Sequence, residues 1–507
     1  MNQRIIKNTL YLYLRMLFSM GVSLYTSRVV LATLGVEDFG IYTVVGGVVI
    51  MFSFINASMS EGATRFLTFA LGKGNMEEFR KTFSAALTIH ILIAFVILIF
   101  AETLGLWYLE NKMVIPAERM NAARVVFHLS IISTMATIIQ APYNATIIAH
   151  ERMNIYAFIE ILNVCLKLGI VFLLVVGDWD KLILYAILVL AVACLIAGIY
   201  RQYCITHFKE CRYRFKWDKK IINPMLTFSG WEIVGCGAYI GSTQGVNQLL
   251  NLFFGAVVNA AYGAASWVTS AITGFVRNFQ MAVNPQIVKL YAAEKMDELY
   301  SLLFQNAKFS FSLMWLLLLP ASLTMETILQ IWLVEVPEHT ALFCRLALIQ
   351  SLVACLQRPF VTAIHATGRM KVFQLSSGTI LLSALPVSYF YLKAGGAPYI
   401  PFVVFICAAV LELSVEVYLL KRWINLSLIR LLRTVLVPVL LIIACTLLPS
   451  LFVNQYLPFL LSAMFSGFTV CISVYFIAFN KETKLKINNQ IRNVFLQIIK
   501  KTKKHDK

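Results

Sequence analysis

Apolar runs of about twenty residues, each ended by a short polar break, follow one another through nearly the whole chain. A run of that length crosses a hydrocarbon core as an α-helix, because backbone immersed in lipid must satisfy its own hydrogen bonds. The runs number about fourteen, near 9–31, 40–60, 83–104, 122–141, 155–176, 182–202, 226–253, 263–284, 304–325, 341–363, 372–392, 399–420, 433–451 and 457–479. A soluble globule is excluded by composition: 59% of the 507 residues are hydrophobic and 13% are charged, too little polar surface to cover such a chain. The expected fold class is an all-α polytopic membrane protein.

The net charge of +18 is not spread evenly. Cations collect in alternate breaks: Arg4 and Lys7, then Lys73, Arg80 and Lys81, then Arg152, Lys289 and Lys295, Arg369 and Lys371, and Lys421, Arg422 and Arg430. The breaks between them are acidic, with Glu37 and Asp38, Glu110 and Glu118, Asp178 and Asp180, and Glu335 and Glu338. By the positive-inside rule the basic set and both termini are expected in the cytoplasm. The most basic internal stretch, Tyr200 to Pro224, interleaves aromatics with cations, as nucleic-acid sites do. Between two spans such a loop reads as a topology signal, and nucleic acid is not an expected partner. The basic N-terminus resembles the start of a signal peptide, but Arg15 interrupts its apolar run and no small-residue cleavage site follows, so it is expected to remain as the first span. The ten cysteines show no Cys-x-x-Cys spacing, and neither a disulfide nor a metal site is expected.

An internal duplication accompanies the charge pattern. Pro142-Tyr143, Arg152-Met153 and Tyr156 match Pro359-Phe360, Arg369-Met370 and Phe373 at a constant offset of 217, and Gly40 and Lys73 to Phe79 match Gly263 and Lys295 to Leu299 near 220. The repeating unit is six spans, and an even unit gives two copies of the same orientation, as in transporters with a central cavity. The expected organisation is an N-terminal lobe at 1–203, a basic linker at 204–224, a C-terminal lobe at 225–422, two further spans at 423–480 and a basic tail at 481–507, whose apolar and lysine-rich faces suit an amphipathic helix on an anionic leaflet.

Polar residues inside the spans are functional candidates by default, since a charge at mid-membrane costs about 2.5–3.5 kcal/mol on insertion scales. Ser266, Ser270, Thr273, Arg277, Gln280 and Asn284 recur at helical spacing in the eighth span, and Arg15, Ser19, Ser23 and Thr26 do so in the first. Arg277 either lines a cavity or pairs with a carboxylate such as Glu232 or Glu412, and Arg28 lies either in the cavity or at the external interface. Gln244, Asn247, Gln248 and Asn251 form an amide stripe in the seventh span, suited to sugar hydroxyls or to interhelical bonds, while Gly237, Gly241 and Gly245 suit close packing. Glu160, Asn163 and Lys167 share a face, with an internal ion pair as one reading and a ligand contact as the other. Glu412 and Glu416, four apart, suit proton coupling through mutual repulsion, unless Glu416 only reaches Lys421. His90, His128 and His365 stand isolated in the sequence.

No nucleotide-binding loop, metal-spaced histidine pair or nucleophile elbow occurs, so no catalytic residue is assigned. The external breaks, of which the longest runs from Glu102 to Asn121, are also short for a membrane glycosyltransferase or polymerase.

Ser27-Arg28, Leu34 to Tyr42, Asn56, Arg65-Phe66 and Gly72-Lys73-Gly74, and later Ala282 to Pro285 with Lys289 and Tyr291, resemble bacterial polysaccharide-export flippases of the O-antigen type, in the multidrug/oligosaccharidyl-lipid/polysaccharide exporter superfamily. The resemblance implies two six-helix lobes around a V-shaped cavity, a fold shared with multidrug exporters. It implies alternating access that moves an undecaprenyl-diphosphate-linked oligosaccharide of O-antigen, capsule or exopolysaccharide to the outer leaflet. Arg15, Arg28 and Arg277 would then bind the diphosphate, with the polar stripes lining the cavity. No cofactor is expected beyond a coupling ion, proton or sodium, for which Glu160, Lys167 and Glu412 are candidates. Expected partners are the lipid-linked oligosaccharide, membrane lipids and polymerases or glycosyltransferases of the pathway. The competing readings are a cation-coupled multidrug exporter of the same superfamily and a membrane polysaccharide polymerase or ligase.

Overall fold

The computed structural model describes residues 3–50, 53–111, 113, 115–174, 179–215, 217–333, 335–479 and 484. The described residues are almost wholly helical. The first half holds α1 (Gln3–Ile50), α2 (Ser53–Gly72), α3 (Met76–Phe100), α4 (Leu106–Asn111), α5 (Met120–Ala149), α6 (Met153–Leu173) and α7 (Lys181–His207). The second holds α8 (Lys219–Ala292), α9 (Met296–Leu323), α10 (Met325–Trp332), α11 (Thr340–Thr367), α12 (Met370–Lys393) and α13 (Ile400–Ile424). The chain closes with α14 (Leu428–Leu431), α15 (Val437–Asn454) and α16 (Phe459–Ser473).

Two of these helices are each a pair joined at a break. Gly35 in α1 has φ 82° and ψ 167°, and Gly255 in α8 has φ 79° and ψ −167°, a backbone region open essentially to glycine alone. The two breaks are 220 residues apart, the offset of the sequence duplication. Gly74 and Glu294 repeat that offset, with φ 71° and 57°, and Glu151 and Gly368 sit at the 217 offset, with φ 59° and 76°. Each of the latter pair precedes an arginine at a helix start, Arg152 (φ −86°, ψ 57°) and Arg369 (φ −84°, ψ 62°). The duplication therefore extends from side-chain spacing to unusual backbone geometry.

Eleven helical stretches are long and apolar enough to cross a membrane. The three further spans expected at 40–60, 226–253 and 263–284 fall in residues 36–50 with α2 and in the two parts of α8, which are not among those eleven. They carry Glu61 and Arg65, Glu232, and Arg277 respectively, which lowers their apolarity.

Two sequence expectations change. The linker expected at 204–224 is shorter, because α7 runs to His207 and α8 starts at Lys219, capped by Asp218. It is also docked: Cys211 is buried, Phe208 stacks on His150 at 4.0 Å, and the Tyr213 hydroxyl lies 3.2 Å from that of Thr88. The loop expected from Glu102 to Asn121 is helical over much of its length, through a π-helical turn at Ala101–Gly105, α4 and a 3₁₀ turn at Ala117–Arg119. The 481–507 tail expected as an amphipathic helix lies outside the described residues apart from Lys484, as do Asp178 and Lys216.

Separate buried clusters hold the halves. Phe79, Phe83, Tyr143 and Tyr200 centre one in the first half, and Phe311, Trp315, Phe343 and Phe360 centre the larger one in the second. The latter reaches Val439, Ile442 and Val470, so α15 and α16 pack on the second half. There the Trp315 indole donates to the Thr446 hydroxyl at 2.9 Å.

Candidate functional site

The bundle has a basic end, where the turns after α2, α5, α8 and α11 carry Lys73, Arg152, Lys295 and Arg369, and an acidic end with Asp38, Asp180 and Glu335. At the basic end the halves are bonded to each other. The Glu151 side chain, 4% exposed, receives Lys289 Nζ at 2.6 Å, Gln286 Nε2 at 3.2 Å and Arg4 Nε at 3.2 Å. Arg65 of α2 donates to the carbonyls of His365 (3.0 Å) and Ala366 (2.7 Å), in the last turn of α11. Those carbonyls close the helix at its negative pole, where the His365 carbonyl also accepts from the Gly368 N–H at 3.0 Å, and a guanidinium suits them. Phe66 and Phe69 flank the same guanidinium at 4.5 and 4.9 Å. Gly72 lies directly on α8: a Cβ there would stand 2.8 Å from the Lys289 Cα.

Deeper in the bundle, His365 stands 3.7 Å from Glu61 of the first half and 3.7 Å from Glu232 of the second, and Gln374 donates to Glu232 at 2.7 Å. This histidine is thus not isolated. Ser58 donates to Cys236 at 3.4 Å. Arg15 crosses between the halves, donating to Asn278 at 2.9 Å, while its other nitrogen donates to Tyr156 at 2.8 Å. Ion pairs near the acidic end stay within one half, as where Arg119 bridges Asp38 and Asp180 or where Arg345 meets Glu326. The halves are thus fastened from the basic end up to Arg15.

Beyond Arg15, exposed polar side chains continue on α1 and α8: Ser23, Gln244, Gln248, Asn251, Ser266 and Ser270. Inside a membrane such residues must face water or other protein. Arg277 is exposed among them, and among the described residues it has no carboxylate partner, neither Glu232 nor Glu412. Arg358 of α11, which the sequence reading did not single out, is likewise exposed without an ion pair among the described residues. Both arginines lie within electrostatic reach of Cys355, and Arg358 also within that of Glu61, across the junction between the halves. A charge well inside an apolar run, the signal that picked out Arg277, was equally available for Arg358.

The remaining candidates divide. Thr273 bonds its own helix at the Thr269 carbonyl (2.8 Å), and Asn247 is half-buried. Gln280 leaves the polar stripe and turns inward, donating to Ser310 and the Cys355 carbonyl. Gly245 packs on α12, where a Cβ would stand 2.7 Å from Leu385. Arg28 is exposed, seven residues before the Gly35 break and hence about 10 Å along the helix from it. Glu160 accepts from the Tyr200 hydroxyl at 3.0 Å, and it forms no ion pair with the exposed Lys167. Glu412 and Glu416 are both buried, Glu412 accepting from Ser377, so Glu416 does not reach out to Lys421.

Two helical halves that carry the same backbone breaks and are bonded to each other along α1, α2, α8 and α11 define a multi-pass membrane protein of the MATE architecture. Solved structures agree. A MATE protein in the straight conformation superposes with a TM-score of 0.71 at 11% identity, covering 83% of this chain and 95% of that one. A Vibrio cholerae MATE transporter gives 0.68 at 16% identity, covering 84% and 97%. An outward-facing multidrug resistance MATE family transporter of the MOP superfamily gives 0.66 at 12% identity, covering 82% and 95%. No curated protein matches the sequence. The family model described as polysaccharide biosynthesis protein matches residues 5–291, and the chain belongs to that family.

Proposed function

We propose that the protein is a flippase rather than an enzyme, and that it carries an undecaprenyl-diphosphate-linked oligosaccharide from the cytoplasmic to the external leaflet by alternating access. The observation that carries this reading is the exposed pair Arg277 and Arg358, which form no ion pair among the described residues and stand beside the polar side chains of α1 and α8. A diphosphate entering a low-dielectric cleft needs fixed positive charge, and guanidinium supplies it with paired donors, while the polyprenyl tail remains in lipid. Arg15 and Arg28 extend the cationic surface along α1, and Gln244, Gln248, Asn251 and Ser270 supply donors and acceptors for sugar hydroxyls. The membership in a polysaccharide biosynthesis family supports this substrate class over drug export.

In this reading the basic end is cytoplasmic, the chain crosses a bacterial cytoplasmic membrane fourteen times with both termini inside, and residues 1–203 and 225–422 move as two lobes. The fastened basic end then corresponds to a cleft open to the outside. Coupling to protons or sodium would use Glu412 with Glu416, which share one buried turn of α13. Polymerases and glycosyltransferases of the pathway would be functional partners.

The test is reconstitution. Proteoliposomes loaded with a polyprenyl-diphosphate oligosaccharide on one leaflet should show protein-dependent appearance of the sugar on the other, read by lectin or oxidant accessibility. Transport of cationic drugs with no movement of the lipid-linked sugar would replace this reading with the multidrug exporter.

Orientation is checked separately. In a background without native cysteines, cysteine at Trp179 or Glu338 should react with an impermeant maleimide added to intact cells, and cysteine at Arg212 should not. The reverse pattern would invert the molecule.

A further inference from the structure

We propose that a second anionic site, outside the cleft, holds the phosphate of a membrane phospholipid between α9 and the C-terminal helices. A cavity of about 680 Å³ lies there at the basic end, lined among others by Ser301 and Lys308 of α9 and by Arg430, Arg433 and Thr434. Lys308 carries the argument. It lies twelve residues inside α9, in a stretch long and apolar enough to cross a membrane, and only 8% of it is exposed. Its ammonium has no hydrogen-bond or ion-pair partner among the described residues, yet it borders the cavity. A buried cation without a counter-charge is strongly disfavoured, and an anion in the cavity removes that penalty.

The local backbone has the same sense. Helix α14 passes into a π-helical turn at Leu432–Leu436, and a second π-helical turn, Val474–Ala478, contributes Ile477 to the opposite wall. Such turns widen a helix by one residue and recur at functional sites, and the first of them carries Arg433 and Thr434 to the cavity. Arg433 also has no carboxylate partner among the described residues, whereas Arg430 faces Asp297 at 3.7 Å at the mouth. Asp297 is 95% exposed there, so it leaves the deeper positive charge uncompensated. Side chains on a helix lean toward its N-terminus, which tips Lys308 toward the basic end and the level of a headgroup. A phosphate between Lys308 and Arg433 would place headgroup hydroxyls near Ser301 and Asp297, with acyl chains leaving past Pro438. Basic pockets between membrane helices hold anionic headgroups by this chemistry. The inference does not depend on the identity of the transported substrate.

The full chain in nanodiscs of phosphatidylcholine with one-fifth phosphatidylglycerol, released into detergent and weighed by native mass spectrometry, should retain phosphatidylglycerol. Lys308→Gln and Arg433→Gln should each lower retention by about tenfold or more, as expected when one charged hydrogen bond to phosphate is lost. The exposed Arg433→Gln keeps the test valid should the buried variant misfold. Undiminished retention in Arg433→Gln together with a folded Lys308→Gln would overturn the site. Inorganic phosphate in phosphatidylcholine discs should leave the melting temperature unchanged, and a stabilisation equal to that from phosphatidylglycerol would make the ligand a free anion instead. In the same discs Lys308→Met should melt higher than the parent without phosphatidylglycerol and lose its advantage with it. An equal gain in both would mean a lysine with no ligand.

Discussion

Alanine at both Arg277 and Arg358 should leave the protein at its normal level in the membrane and abolish movement of the lipid-linked sugar. Each guanidinium offers charge-assisted bonds to a diphosphate, worth about 1.5–3 kcal/mol apiece, so each single substitution should cost about ten- to a hundredfold in apparent affinity. The double variant should lose more than either single variant, with the departure from the product measuring how far the two share one diphosphate. Normal abundance is expected because neither arginine forms an ion pair among the described residues, Arg358 acting on Glu61 and the buried Glu416 only at longer range. Lysine at either position should restore part of the affinity, giving back charge without the planar pair of donors. Arg15 should behave differently. Its guanidinium already donates to Asn278 and Tyr156, so Arg15→Ala should weaken the junction between the halves as well as the positive surface. The checks are immunoblot abundance beside sugar translocation for each variant. Full translocation by the double alanine variant would remove both residues from the binding surface, and loss of abundance in parallel with transport would make them structural.

Much of the architecture is legible in the sequence because it is written in local terms. Span length, apolarity and alternating loop charge are properties of consecutive residues, and the duplication appears as repeated spacing at Pro142 and Pro359. The break at Gly35 is visible only in hindsight: glycine is common in membrane helices, and nothing adjacent distinguishes it from Gly21. Its match to Gly255 at the offset of the duplication was the available signal. The contacts between the halves were less accessible. His365 has no acidic neighbour in sequence, and its carboxylates Glu61 and Glu232 arrive from two other helices, one of them 304 residues away. Likewise Gln280 keeps the spacing of the polar stripe yet turns inward, because Ser310 and the Cys355 carbonyl offer it partners that periodicity cannot represent. Lys308 and Arg358 are another kind of omission, charges inside apolar runs that a uniform inspection of every span would have found.

Glycine at Glu151 should open the basic end without impairing folding. The residue has φ 59°, a left-handed backbone that disfavours any residue with a Cβ by about 1–2 kcal/mol, and its counterpart in the duplication is Gly368 with φ 76°. Glu151→Gly therefore eases the backbone while removing the carboxylate that gathers Lys289, Gln286 and Arg4. Lys289 and Gln286 belong to the second half, so the lost interactions exist only while the basic end is closed. The Glu151 side chain is 4% exposed but that of Lys289 is 22% exposed, which places the loss below that of a fully buried pair, at about 2–3 kcal/mol. A shift of that size multiplies the open-to-closed ratio about thirty- to a hundred-and-fifty-fold, enough to turn a state present at one per cent into about a quarter to three-fifths of the molecules. Lys289→Ala should shift the balance less, because Arg4 and Gln286 still hold the carboxylate. Spin labels at Lys73 and Arg369, both exposed and on opposite halves, report the separation directly. A longer distance population should grow in Glu151→Gly, remain small in Lys289→Ala, and accompany an unchanged or raised melting temperature. Unchanged distances in Glu151→Gly would show that the carboxylate does not hold the halves together, and a lowered melting temperature with no new distance would assign it to folding of the α5–α6 turn alone.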